Sequence, residues 1–274
     1  MGKAFSGKAI YNPSGKAGEY SKWACNFFTG CSNDCSYCYC KKGFLGRNWS
    51  KEPQLKKCFK DIEDAFKVFC SELRRNLDEL REHGIFFTFT SDPMLPEAKP
   101  LTVRCIHEAL NNGVPVQILT KCAEFIEDIE SWGVHEPERR KMVAFGFTLT
   151  CHDELEPGAS SNRERIMVMF KLHQMGYRTF ASIEPIIEPS SSMAAINLTS
   201  SCCDLFKVGL MSGKRNYNKL ELKFMIDMMR EQHQSFGCKF YLKESYVSFL
   251  KIDRSTLGEG FVGSDYNIFE EGER

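Results

Sequence analysis

The chain has 274 residues with 36 Lys plus Arg against 36 Asp plus Glu, so its formal net charge is zero, and 42% of it is hydrophobic. That is enough apolar material for one large α/β domain or two small ones, and the balanced charge excludes the bulk basicity of a generic nucleic-acid or anionic-membrane binder, although a local basic groove is still allowed. No apolar run reaches the roughly 18 residues of a membrane helix. The N-terminus "MGKAFSGKAIYNPSGKAGEY" has no hydrophobic signal core, so a cytoplasmic protein with no membrane partner is expected. The opening "MGKAFS" fits the N-myristoylation pattern, a short pattern that is common by chance.

Along the chain, Gly, Lys, Ser and Asn make residues 1–22 read as a loop-like extension, with ordered structure expected from Trp23. From there short apolar, β-branched or aromatic runs alternate with amphipathic ones. "WACNFF", "GIFFTFTS", "VPVQILT", "MVAFGFTLT", "YRTFASIEP", "DLFKVGL" and "CKFYLKES" read as seven strands in series. Between them residues 61–83 carry Ile62, Ala65, Phe66, Phe69, Leu73, Leu77 and Leu80 at helical spacing before Gly84, and 102–112, 162–175 and 218–235 are patterned alike. This alternation predicts an α/β fold with a parallel sheet, a complete or partial β/α barrel whose site lies at the C-terminal ends of the strands. Residues 23–250 form the expected core domain. Residues 251–274, polar with an acidic end, read as a surface extension.

"GCSNDCSYCYC", residues 30–40, holds four of the 13 cysteines. Cys31, Cys35 and Cys38 in CxxxCxxC spacing can be brought by one tight loop onto a single metal centre. The other cysteines are irregularly spaced and leave an odd total, as buried free thiols in a reducing compartment would. Structural zinc is the competing reading, yet zinc sites usually close with a second ligand pair, and none is evident; Cys25 and Cys40 are near in sequence, but Cys40 follows Cys38 by only two residues. An electron-relay iron-sulfur protein is the third alternative. Three thiolates on a four-iron cluster leave one iron open to an external ligand, which makes a reaction site.

"CSNDCSYC", with Tyr37 directly before the last cysteine and a first strand ahead of it, resembles the radical S-adenosylmethionine superfamily. The resemblance implies a partial (β/α)6-type TIM barrel, a 4Fe-4S cluster on Cys31, Cys35 and Cys38, and S-adenosylmethionine chelated at the open iron and cleaved to a 5′-deoxyadenosyl radical. It also implies a low-potential electron donor such as a flavodoxin or ferredoxin. "TSDP" after the second strand, and Asn12-Pro13 ahead of the cysteines, resemble the spore photoproduct lyase-like branch. By that resemblance Tyr37, Thr90, Ser91 and Asp92 are cofactor-binding candidates, Lys121 meets the cofactor carboxylate, and Thr148 contacts the ribose.

Bland readings stand beside these. "TSDP" is also an Asp-capped turn, a strand-end lysine is commonly solvated, and Thr favours strands anyway. Arg165 in "EPGASSNRERI" is either a charge partner in the site or part of a capped helix start at "SSNRE". Glu184, ending an apolar strand, is a substrate or cofactor candidate; Lys207, Lys243 and Glu244 could form a structural ion pair. Lyase-like members act on thymine-dimer lesions, which favours a nucleic-acid lesion or nucleotide as substrate, but Phe89 occupies the slot of the hydrogen-returning cysteine directly before the turn. Cys151 and Cys122, at strand ends, are the replacement hydrogen-donor candidates.

Overall fold

Short apolar runs that bury on both faces and longer amphipathic ones give a mixed α/β fold with a largely parallel central sheet. The structure, a computed structural model, describes residues 4–42, 46–47, 49–213 and 216–270. The glycine of the "MGKAFS" pattern and the last four residues of the acidic end lie outside these. Two compact units make up the chain: Met1–Ala144 with Glu154–Ser160, and Phe145–Asp153 with Ser161–Arg274.

In the first unit β1 (Ile10–Tyr11) pairs antiparallel with β2 (Ala24–Cys25), Ile10 opposite Cys25. The segment expected to be loop-like therefore carries a strand, and Ala9 and Ile10 are fully buried. A side chain far along the sequence explains this order: the Glu72 carboxylate accepts from the backbone N–H groups of Lys8 (2.7 Å), Ala9 (3.0 Å) and Ile10 (2.7 Å). After β2 the chain leaves the main sheet, so that β3 (Phe28–Thr29) pairs antiparallel with β4 (Gln54–Leu55). The run "WACNFF" is thus split between two sheets.

The predicted helix 61–83 is two helices, α1 (Ile62–Arg75) and α2 (Leu77–His83). Asn76 separates them at φ −121°, ψ 25°, its side chain donating to Glu72 O at 2.8 Å, the local competition with helical bonding that Asn is prone to. Gly84, at φ 70°, ends α2 as the sequence predicts. β5 (Ile85–Phe87) then runs parallel to β2 on one side and to β6 (Val116–Thr120) on the other. α3 (Lys99–Asn111) connects them, starting three residues before its predicted bound with Pro100 in its first turn, where a missing N–H costs nothing. α4 (Pro137–Lys141) follows, a short helix with no sequence counterpart above.

The second unit contains most of β7 (Val143–Thr148), then α5 (Asn162–Gln174), β8 (Arg178–Ile186), α6 (Pro189–Thr199), β9 (Leu205–Leu210), α7 (Lys219–Phe236), β10 (Lys239–Leu242) and α8 (Glu244–Leu250). β8 and β10 flank β9 in parallel, placing Ser182, Lys207 and Tyr241 side by side. Ser161 starts α5 with the capping box expected at "SSNRE": it accepts from Glu164 N while Glu164 accepts from Ser161 N. Part of the C-terminal stretch packs back onto the sheet. Phe240 N donates to Gly260 O (2.8 Å) and Val262 N to Phe240 O (3.0 Å), so residues 260–262 cover the edge of β10, and Leu257 and Ile268 are buried.

All 13 cysteines are free. Among the described residues no helix is long and apolar enough to cross a membrane.

Replacing Glu72 by Ala removes the acceptor of three backbone amides and should lower unfolding free energy by about 2 kcal/mol. Urea denaturation checks this, and faster proteolysis within residues 4–22 is the expected local sign.

Candidate functional site

The first unit builds its site from the loop after β3 and the turns that end β5 and β6. Asp92, in the "TSDP" turn, is at the centre and 5% exposed. Its Oδ1 accepts from Met94 N (3.0 Å) and Thr120 Oγ1 (2.6 Å); its Oδ2 accepts from Asn33 Nδ2 (2.8 Å) and Lys121 N (2.7 Å). One buried carboxylate thus ties the cysteine loop to the ends of both strands. With four donors on its oxygens, Asp92 holds the site's walls together.

Residues 154–160 brace the same loop. Ser36 N donates to Leu155 O (2.9 Å), Gly158 N to Asn33 O (3.1 Å), and the Tyr37 hydroxyl to Glu156 Oε1. Ser160 links this brace to the end of β6, donating from N to Lys121 O (3.1 Å) and accepting from Ala123 N (2.8 Å). A Cβ on Gly158 would stand 2.0 Å from Ser32 O, so only glycine lets the two backbones meet.

Cys31, Cys35 and Cys38 all lie on this pinned loop. Burial pushes the Cys31 thiol up to about 12, with the Asp92 charge adding to the rise and Lys121 opposing it. Cys35 is raised by burial and again opposed by Lys121. The Cys38 thiol is held low by its hydrogen bond with Cys40, helped by Lys121, and Cys40 is pushed up in turn. The Lys121 ammonium acts electrostatically on all three cysteines, and it lies 5.7 Å from the centroid of the Tyr37 ring, within cation-π range. Cys40 hydrogen-bonds Cys38 across the turn at Tyr39–Lys41. Among the described residues no three His, Cys, Asp or Glu side chains converge to hold a single metal ion.

Other predicted residues take different parts. Thr90 donates its hydroxyl to Phe28 O at 2.6 Å, joining the turn to β3. Ser91 Oγ is buried with no hydrogen-bond partner among the described residues, and so is Asn33 Oδ1. An orphan buried acceptor costs about 1–3 kcal/mol, so the pair marks a place for a polar ligand. Cys122 is 8% exposed, and burial pushes its thiol far up, which keeps it protonated. Asn33, Glu156 and Gly158 were not singled out from sequence, though Asn33 lies inside the cysteine motif and the other two in the "EPG" run.

In the second unit Thr148 and Thr150 are buried at the end of β7. Thr148 O accepts from the Arg165 guanidinium (2.5 Å), which is fully buried and lies 3.7 Å from Asp153. Asn162 Oδ1 accepts from Thr150 N and Cys151 N (3.0 Å each), holding Cys151 at φ 56°. Arg165 and Asn162 thus fix the turn after β7. Glu184 forms an ion pair with Lys243 at 2.7 Å, while Glu244 pairs with Arg254. Lys207 is buried within β9.

No family model matches the chain. Uncharacterized protein ORF301 of Acidianus two-tailed virus is 24% identical over 182 residues, 61% of this chain and 57% of its own length. Uncharacterized protein MJ0683 of Methanocaldococcus jannaschii is 23% identical over 168 residues, 61% of each chain. Among solved structures, Streptococcus suis SuiB bound to S-adenosylmethionine is similar with a TM-score of 0.51 and 11% identity, over 82% of this chain and 52% of SuiB. SuiB bound to precursor peptide SuiA gives a TM-score of 0.51 at 12% identity, over 83% and 52%. The chain spans about three fifths of the curated relatives it matches and about half of SuiB. At these identities the likeness shows the fold, a mixed α/β architecture of the partial TIM-barrel-like type.

Asp92→Asn keeps the volume but turns an N–H toward donors, and should destabilise the protein by about 3 kcal/mol. Thermal melting measures this loss. Gly158→Ala should leave secondary structure intact by circular dichroism yet lower unfolding free energy by about 2 kcal/mol, because the brace must move off Ser32.

Proposed function

We propose that the chain is a radical S-adenosylmethionine enzyme, with Cys31, Cys35 and Cys38 holding a 4Fe-4S cluster whose open iron takes S-adenosylmethionine. The observation that carries this reading is the cysteine loop: three thiols at the strand ends, pinned by Asp92 and braced by residues 154–160, with the Lys121 ammonium acting on all three. The donor set fits the cluster chemically, since three thiolates and one open position make it reactive. A structural zinc site usually closes with a second ligand pair, which the spacing of these cysteines does not supply. The orphan Ser91 Oγ and Asn33 Oδ1 supply unfilled polar contacts beside them. The likeness to SuiB, a structure with S-adenosylmethionine bound, points the same way.

When bound, such a cluster supplies the single electron that breaks an S–C bond of S-adenosylmethionine and releases a 5′-deoxyadenosyl radical. The chain's own residues do the rest. Lys121 provides positive charge for the thiolates and for the cofactor carboxylate. Tyr37, fixed through its hydroxyl to Glu156, offers a ring face beside that ammonium. Ser91 presents a hydroxyl, while Asp92 and Thr90 hold the turn that carries it. Cys122, kept protonated by burial, carries the S–H that a hydrogen donor needs, and Cys151 is its alternative in the second unit.

For the substrate, the resemblance to the spore photoproduct lyase-like branch favours a nucleic-acid lesion or nucleotide, with Phe89 arguing against direct reversal of that lesion. A peptide is the second reading, favoured by the SuiB complex with precursor peptide SuiA. A low-potential flavodoxin or ferredoxin is the expected reductant, and the cytoplasm the expected compartment.

The test is 5′-deoxyadenosine formation by the anaerobically reconstituted, reduced protein given S-adenosylmethionine. Wild type should form it, and Cys38→Ala should fall at least a hundredfold to background. Formation that survives Cys38→Ala would refute the reading.

A further inference from the structure

Asn33 lies between the first two cysteines of the motif and is only 2% exposed. Its Nδ2 donates to Asp92 Oδ2 at 2.8 Å. A carboxylate accepts and does not donate, so this bond fixes which end of the amide faces Asp92; the flipped amide would set one acceptor against another. Oδ1 is thereby turned away from Asp92, buried and without a hydrogen-bond partner among the described residues. Buried amide oxygens in folded proteins are satisfied, so this one marks a position where a donor belongs.

The surroundings say which donor. The buried Asp92 carboxylate, 2.8 Å from Asn33 Nδ2, brings negative charge to this part of the site, which favours a donor of amine character. Asp92 cannot receive that amine itself, because Asn33, Met94, Thr120 and Lys121 already occupy its oxygens. It acts through Asn33 instead: accepting from Nδ2 polarises the amide and makes Oδ1 a stronger acceptor. Ser91 Oγ is unpartnered too, but a hydroxyl can donate or accept, so it does not by itself select a ligand group.

Resting on the function proposed above, we infer that Asn33 Oδ1 accepts an N–H from the amino group of bound S-adenosylmethionine, with Asp92 as the positioning residue behind it. Asn33 thereby couples the cysteine loop to the cofactor's amino-acid end. Recognition of the amine and correct placement of the thiols then depend on the same buried pair.

A cycle of four dissociation constants isolates this contact from any structural effect of Asn33. Equilibrium dialysis under anaerobic conditions, on reconstituted wild type and Asn33→Ala matched for iron content, uses S-adenosylmethionine and the analogue in which hydrogen replaces the amino group. Loss of the amine also removes a cluster ligand, but equally in both proteins. The expected result is a coupling of about tenfold, Asn33→Ala being less sensitive than wild type to loss of the amine. Equal weakening of both ligands by the variant would overturn the assignment while leaving the enzyme reading intact. Wild type with a full cluster and no affinity for S-adenosylmethionine would instead refute the enzyme reading, and the assignment with it. If Asn33→Ala does not retain its cluster, Asn33→Ser, which keeps a hydroxyl near Asp92 but lacks the reach of Oδ1, gives the same comparison.

Discussion

A single buried carboxylate organises the first unit's site. The cysteine loop, through Asn33, and the end of β6, through Thr120 and Lys121, converge on Asp92, and Met94 of its own turn adds a fourth donor. Burying a carboxylate is costly unless it is fully hydrogen-bonded, and four donors meet that condition. The constraint also works in reverse. A charge so fully engaged specifies one arrangement of its neighbours, so the cysteine loop is held in place before any ligand arrives.

Pre-organisation matters because the cysteine loop has little secondary structure of its own. Backbone bonds from Ser36 and Gly158 fasten it to residues 154–160, and the close pass of Gly158 over Ser32 leaves no room for a side chain. Ordering a loop in advance removes that entropy cost from the binding step. The second unit uses the same economy of means at the end of β7, where Arg165 and Asn162 hold the turn around Cys151 through backbone groups.

Much of this was legible in the sequence because chemistry confined to a short stretch leaves a local signal. The strand and helix alternation and the cap at Ser161 both read correctly from neighbouring residues. What escaped depends on partners far away. β1 exists because Glu72, more than sixty residues on, takes up its amides, and no local propensity in residues 1–22 announces that. The break at Asn76 and the edge covered by residues 260–262 are likewise tertiary. Asp92 illustrates the limit for the site: its position in the turn was readable, but whether it faces a ligand or its own protein depends on four donors that only the fold assembles.

The central claim is that this loop holds an open cluster, and cluster spectroscopy tests it most directly. Anaerobically reconstituted protein should bind about four iron and four sulfide per chain. Its reduced electron paramagnetic resonance signal should change when S-adenosylmethionine is added, as an external ligand reaching the open iron requires. A stoichiometric zinc content without sulfide, or a four-iron signal indifferent to S-adenosylmethionine, would contradict the account.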